Sequence, residues 1–421
     1  MKALVRTYGV WIATAIIFAV LPLVFTSSFA LTLLCKMGVL VIFSIAYNML
    51  LGQGGMLSFG HAIYFGMAGY FTIHTLNGMA DDVLPYFPVS LMPVIGAVVG
   101  LLLGIAIGYV STRRAGTTFA MISLGFGEMV TAMTLIFVSF FNGEDGIQAD
   151  RWVGPEPFGI TYGPQIQVYY LIAIWCFVCM AAMYLITKTP FGRMSNAVRD
   201  NPERAEFIGY NTQRVRWLAF SLSAMFAGAA GSLHALNYEH IGFESVSAIQ
   251  SGAVLFMVYI GGMGNFLGPI IGTVLLVFLD SMLADVTNAW LLYLGIIFVI
   301  IVMSTPRGLA GLITMHEPVW KTDPRLLKGL VGPYLLAMLS SIVVAIGLIG
   351  IIEMIYFMTI VAPGESEMRL FGIALSVDSA TPWLIFAAII AVGIQSCRLT
   401  YHRVVGSWNE AMLAVKSRIA A

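Results

Sequence analysis

Charge is what this sequence has least of: 10% of its 421 residues are Asp, Glu, Lys or Arg, against 59% hydrophobic. An ordinary soluble domain carries roughly a quarter charged residues, and a water-soluble core cannot absorb so much apolar surface. The 21 basic and 21 acidic residues cancel. No basic stripe, base-stacking aromatic motif or zinc-finger spacing is visible, so nucleic acid is not an expected partner. Cysteines are few. Cys35, Cys176, Cys179 and Cys397 all lie in or beside apolar runs, where cysteine behaves as a small buried hydrophobe, and the C-x-x-C of Cys176 and Cys179 reads as packing rather than redox or metal chemistry. Also missing are a G-x-x-x-x-G-K-[ST] phosphate loop, a G-x-S-x-G elbow and an H-E-x-x-H helix. If ATP with Mg drives this protein, another subunit binds it; no cofactor is expected in this chain, and it is not expected to be an enzyme.

What is present is apolar length. A span needs about 20 apolar residues, so a chain of this size holds about ten to twelve. Runs fall at 10–27, 31–51, 56–76, 89–110, 117–141, 167–187, 217–237, 246–263, 267–284, 289–304, 332–360 and 381–397. The expected fold is therefore all-α, a polytopic integral membrane protein of about 10–12 transmembrane helices. The third and eighth runs are rich in Gly or Ser and read equally as re-entrant segments. Lys2 and Arg6 ahead of the first run resemble a signal peptide, but no small-residue cleavage site follows, so this run reads as a span.

Threading the chain from a cytoplasmic N-terminus puts nearly all basic residues inside, including Arg113, Arg114, those of 188–216, Arg307, Lys321, Arg325, Lys328, Arg398, Arg403, Lys416 and Arg418. Arg151 and Arg369 fall outside, with acidic residues that include Glu156, Glu365 and Asp378. Lys and Arg favour the cytoplasmic side, so both termini are expected there. Gly96, Gly100, Gly104 and Gly108 recur every four residues, as do Ser223, Ala227 and Gly231 beside Ala224, Gly228 and Ser232. Such stripes let helix backbones approach closely and predict packing seams. LGQGGMLSFG (51–60) and IGGMGNFLGP (260–269) echo one another as glycine-rich breaks, the kind of feature that marks a binding site in two-half transporters.

The loop 188–216 predicts a short ordered helix. Asn201 suits the cap, Pro202 the first position, Glu203 the positive dipole end and Gly209 a left-handed stop. Arg199, Glu203, Arg204 and Glu206 would then form the rim of a surface offered to a cytosolic motor, or of a merely solvated loop. Polar groups in the bilayer are costly and few. They are His61 near Gln53 and Ser58, Glu128 after an expected break at SLGFGE, and Glu353. His234, Glu239 and His240 are expected to be wet residues at a span end.

NMLLGQGGMLSFGHAIYFGMAGY (48–70) resembles the signature of branched-chain amino-acid ABC transporter permeases, the LivM-like family. SLGFGE (123–128), AVRDNPERAEFIGYNTQRVRWLAFSLSAMFAGAAGSLHAL, and GGMGNFLGP with the later STPRGLAGL agree in the same order. Asn48, Gly52, Gly55, Ser58, Gly60, His61, Gly66, Gly69 and Tyr70 match the first block, and Glu128 matches the acid of the second. The resemblance implies a permease core over 1–315, with a coupling helix in 188–216 that fits an ATP-binding subunit. It also implies a second permease, two cytosolic ATP-binding subunits, a periplasmic solute-binding protein and a bacterial inner-membrane location. Residues 316–421 extend beyond the family pattern with two more expected spans, and FNGEDGI departs from the family's external loop. A urea or short-amide permease looks much alike in the GHA region. An ion-coupled secondary transporter, with His61 and Glu128 as a proton relay, is the reading from another class.

Overall fold

A computed structural model describes every residue except 1, 154–158, 306, 324, 361–366 and 421. Glu156, Pro306 and Glu365, which entered the loop count and motifs above, lie outside the described residues. The helices are α1 (Lys2–Val24), α2 (Ser28–Asn48), α3 (Ala62–Ala80), α4 (Met92–Ser111), α5 (Thr117–Ile136), α6 (Val138–Phe141), α7 (Gln165–Lys188), α8 (Pro190–Asp200), α9 (Pro202–Phe207), α10 (Thr212–Tyr238), α11 (Ala248–Gly261), α12 (Leu267–Val286), α13 (Trp290–Ser304), α14 (Gly308–Met315), α15 (Glu317–Thr322), α16 (Leu326–Ile360) and α17 (Ala380–Ala420). Two small antiparallel ribbons accompany them, β1 (Ile147–Gln148) with β2 (His240–Ile241), and β3 (Glu367–Leu370) with β4 (Ile373–Ser376).

Among the described residues, eight helices are long and apolar enough to cross a membrane, or nine if Trp290–Ser304 and Gly308–Thr322 count as one broken span. The twelve expected runs shrink for local reasons. The third is non-helical until Ala62, because residues 54–61 form a turn. The eighth makes only the 14 residues of α11, about 21 Å at 1.5 Å per residue, too short for a hydrocarbon layer of about 30 Å. The first keeps a shorter apolar stretch, Gly9–Val24. SLGFGE is not a break, since α5 runs straight through it. Its Gly127 instead lets the backbone of Gly60 approach: a Cβ there would sit 3.2 Å from the Gly60 Cα.

The chain divides into two compact units, Met1–Val286 with Leu294–Gly311, and Thr287–Tyr293 with Leu312–Ala421. In the first, α10 is the most buried of the spanning helices. Both of its small-residue stripes are seams. Ala224, Gly228 and Ser232 meet Gly96, Gly100 and Gly104 of α4, and Gly108 packs on Phe220. On the other stripe Ser223 Oγ donates to the Ala46 carbonyl of α2 (2.6 Å), and Gly231 lies against the Phe65 backbone of α3. With no hydrophobic push between helices in lipid, close backbone packing supplies the association.

One end of this unit is held by Arg151. Only 8% exposed, it donates to the carbonyls of Tyr162 (2.5 Å), Gly163 (3.0 Å), Leu236 (3.2 Å) and Asn237 (3.3 Å). Glu239, left-handed at the end of α10, accepts from its backbone N–H (3.0 Å). Glu239 is thus a tie rather than a wet end residue, and His234 lies between the rings of Phe65 and Tyr238. Replacing Arg151 by Met strands four carbonyls and is expected to cost about 3 kcal/mol or more, since bonds to a charged donor contribute about 1.5–3 kcal/mol each. Thermal unfolding in detergent reads this loss.

In the second unit α16 and α17 form an antiparallel hairpin. Gly347 and Gly350 face Ile390 and Phe386, Gly393 faces Val344, and Ser340 bonds Ser396 (2.8 Å). The Glu353 carboxylate accepts from Thr287 Oγ1 (2.7 Å) and Tyr293 Oη (2.8 Å), so this acid is paired. Arg418 reaches Asp323 at 2.6 Å. The Arg325 N–H and then Arg418 hold the Asp323 carboxyl below its ordinary range. A lowered folded-state value means this tie is complete at neutral pH and fails only as the pH falls through the carboxylate range.

Candidate functional site

The first glycine-rich break begins where α2 widens into a π-helical turn, Met49–Gln53. Asn48, just before it, spans to the second break: its Oδ1 accepts from the Gly264 N–H (2.9 Å) and its Nδ2 donates to the Asn265 carbonyl (3.3 Å). That second break, residues 262–266, joins α11 to α12, with Gly262 and Gly264 both at positive φ. Gly52 is needed for the close approach, because a Cβ there would lie 2.5 Å from the Gly264 nitrogen. The two echoing segments therefore stand face to face.

Beyond the π turn, Tyr47 Oη donates to the Ser58 carbonyl (2.8 Å), and the Phe59 N–H donates to Ser123 Oγ of α5 (3.1 Å). The first turn of α3 lacks intrahelical acceptors for its amides, and Ser251 of α11 takes the Ala62 N–H (3.0 Å). His61 is fully buried; its Nε2 pairs with Ser223 Oγ (2.9 Å), and its ring lies among Phe43, Tyr47 and Tyr64. His61 Nδ1 and Ser58 Oγ have no hydrogen-bond partner among the described residues. Asn48 and Ser58 are also buried, and Gln53 is half-buried. Glu128 stands apart: the twelfth residue of α5, it is exposed, with no hydrogen bond or ion pair among the described residues.

The polar loop contains two helices, not one. Asn201 Oδ1 accepts from the Arg204 N–H (2.9 Å), Pro202 opens α9, and Gly209 has a φ of 91°. Missed in the sequence is α8, although Thr189-Pro190 repeats the cap-and-proline pattern and Thr189 accepts from the Gly192 N–H. The expected rim also changes. Arg199 bonds the Gly52 carbonyl and the Glu206 carboxylate accepts from Thr212 Oγ1 (2.6 Å), while both residues stay at the surface. Glu203 and Arg204 remain exposed. Between them and Gly209 the helix ends in Phe207, 90% exposed, and Ile208, 68% exposed, an apolar tip that charge reading passed over.

A family model described as branched-chain amino acid transport system, permease component, matches residues 29–304. The chain belongs to this family. The permease is a multi-pass membrane protein and resembles LivM, the high-affinity branched-chain amino acid transport system permease protein of Salmonella typhimurium. Identity is 27% over 310 residues, covering 69% of this chain and 71% of the relative. It is 26% identical over 314 residues to LivM of Escherichia coli K12, with the same coverage. The galactose/methyl galactoside import permease protein MglC of Escherichia coli K12 is 27% identical over 270 residues, 59% of this chain and 74% of the relative. No solved structure matches significantly. All of the paired breaks, the α8–α9 pair and Glu128 fall inside the matched region of the permease.

Proposed function

We propose that this permease is a membrane subunit of an ATP-driven importer for branched-chain or related amino acids. It works beside a second permease, two cytosolic ATP-binding subunits carrying ATP and Mg, and a periplasmic solute-binding protein, in a bacterial inner membrane. Both termini and α8–α9 are cytoplasmic in this reading. The permease core covers 1–315, and 316–421 is an added membrane hairpin. The observation that carries the reading is α9: capped at Asn201, stopped at Gly209, and offering Phe207 and Ile208 to solvent. A solvated linker has no reason to order a helix and then expose its large apolar side chains, whereas a groove on an ATP-binding subunit covers them. Closing of the ATP-binding subunits then moves α8–α9 and rocks the permease between outward and inward states.

Glu128 supports a passage along the exposed face of α5, between this chain and the second permease. An unpaired charge facing lipid at mid-span costs about 2.5–3.5 kcal/mol on insertion scales, so water or a partner group is its natural neighbour. Glu128→Gln is expected to lower uptake at least about tenfold, the kinetic equivalent of 1.4 kcal/mol. Unchanged yield and unchanged uptake would make the carboxylate a bystander. The proton-relay reading finds no support in the geometry, because His61 is sealed in the core and shares no hydrogen bond with Glu128 among the described residues.

The direct test is ATP-dependent uptake into proteoliposomes holding the co-purified complex, with radiolabelled leucine, galactose and urea offered in turn. Leucine uptake that needs ATP is the expected result. Galactose or urea in its place moves the cargo to a related class, and uptake driven by a proton gradient without ATP overturns the importer.

A further inference from the structure

Arg199, the tenth residue of α8, sits where the polar helix pair meets the first glycine-rich break. Its methylene stem lies across Gly55, where a Cβ would come within 2.6 Å of Arg199 Cγ, and Gly55 holds a φ of 66°. Its Nη1 donates to the Gly52 carbonyl in the π turn and lies 3.9 Å from where a Cβ on Gly264 would stand. Its Nη2 holds the Asp200 carboxylate at 2.8 Å. Among the described residues, no other side chain of α8 or α9 hydrogen-bonds to either break.

We propose that Arg199 is a positioning residue that ties α8 to the first break, so that a displacement of the helix pair carries the π turn after α2 and, through Asn48, the 262–266 turn with it as one body. The inference rests on the importer reading for its direction of force. It rests on local chemistry for its rigidity. A bond from a charged donor is roughly twice as strong as a neutral one, and a planar guanidinium engages Gly52 and Asp200 together where an ammonium is a single point charge. The Asn48 bonds to Gly264 and Asn265 then pass the same displacement from the first break to the second.

The test compares Arg199→Ala, Arg199→Lys and Asp200→Asn in the reconstituted complex, reading solute transported per ATP hydrolysed. Arg199→Ala is expected to assemble and hydrolyse ATP while this ratio falls at least about tenfold, the scale of one lost charge-assisted bond. Arg199→Lys keeps one donor and recovers part of the ratio; Asp200→Asn, which loosens the guanidinium but leaves its bond to Gly52, lowers the ratio less than Arg199→Ala does. A wild-type ratio in Arg199→Ala overturns the tie. Nitroxide labels at Arg204 and the exposed Met263 provide a second measurement on the chain alone. A narrow distance distribution that broadens in Arg199→Gln supports the tie, and equal widths overturn it even if no variant complex assembles. A wild-type complex with no ATP-dependent uptake sinks the importer reading instead, leaving the label distances to decide the tie.

Discussion

Replacing Phe207 with Asp is expected to abolish ATP-driven uptake while leaving the permease folded. At 90% exposure the ring contributes little to this chain's own stability, and the Asn201 cap and Gly209 stop that hold α9 are untouched. In the complex proposed above the same ring would fill a desolvated pocket, and aromatic anchors of that kind cost about 2 kcal/mol or more on truncation, roughly thirtyfold in affinity. A carboxylate in the same pocket adds its own desolvation penalty. Co-purification of the ATP-binding subunits should therefore fail together with uptake, and thermal unfolding of the isolated chain should stay where it was. Ile208→Ala, at the edge of the tip, should give a smaller loss. Full recovery of both subunits and transport with Phe207→Asp would place the docking surface elsewhere.

The second large effect is expected at Gly228, where α10 crosses α4. A Cβ there would meet the Gly96 carbonyl and lie 3.0 Å from the Gly100 Cα, both of them backbone of another helix that no rotamer change can move. Overpacking a core costs about 1–3 kcal/mol when side chains can shift and more when they cannot. Gly228→Val should push the seam past that upper figure and remove most monodisperse protein from a detergent extract. Gly125→Val is the control, because nothing stands within 4 Å of its Cβ position; it should stay within about 0.5 kcal/mol of the wild type, as surface changes do. Equal losses in the two variants would mean that glycine is required for the helix itself and not for the crossing.

These two sites differ in how far the sequence exposes them. The Gly96 to Gly108 stripe and its counterpart on α10 are legible as seams because a four-residue period survives in the one-dimensional text and lipid leaves little else to drive helices together. Asn201, Pro202 and Gly209 are legible for the same reason: capping is local chemistry within a turn of the chain. Phe207 is not legible in this way, because charge is what marks a docking surface in a sequence, whereas here two of the charged groups bond within the chain. Arg199 goes to Gly52 and Glu206 to Thr212. The misreading of SLGFGE has a related cause, since glycine marks either a bend or a close crossing and only the position of Gly60 tells which. His61 and Glu128, grouped in the sequence as polar residues within the bilayer, part company once α5 and α10 are placed. One is closed in by rings and Ser223, and the other faces out. The similarity of the two glycine-rich segments was visible, but their contact was not, because no local pattern encodes a pairing of residues 216 apart.

That separation has a bearing on how the protein is made. Asn48 leaves the ribosome long before Gly264 and Asn265, and at about 5–20 residues per second the 216-residue gap corresponds to about 10–40 s of synthesis. The ion pair between Lys36 and Asp280 spans a longer gap still. For that interval the turn after α2 has no partner for its asparagine, and Lys36 has no counter-ion inside an apolar helix. The α2 span is thus inserted as an unfinished part, and it must be sheltered by the insertion machinery or kept near the membrane surface until residues 264–280 arrive.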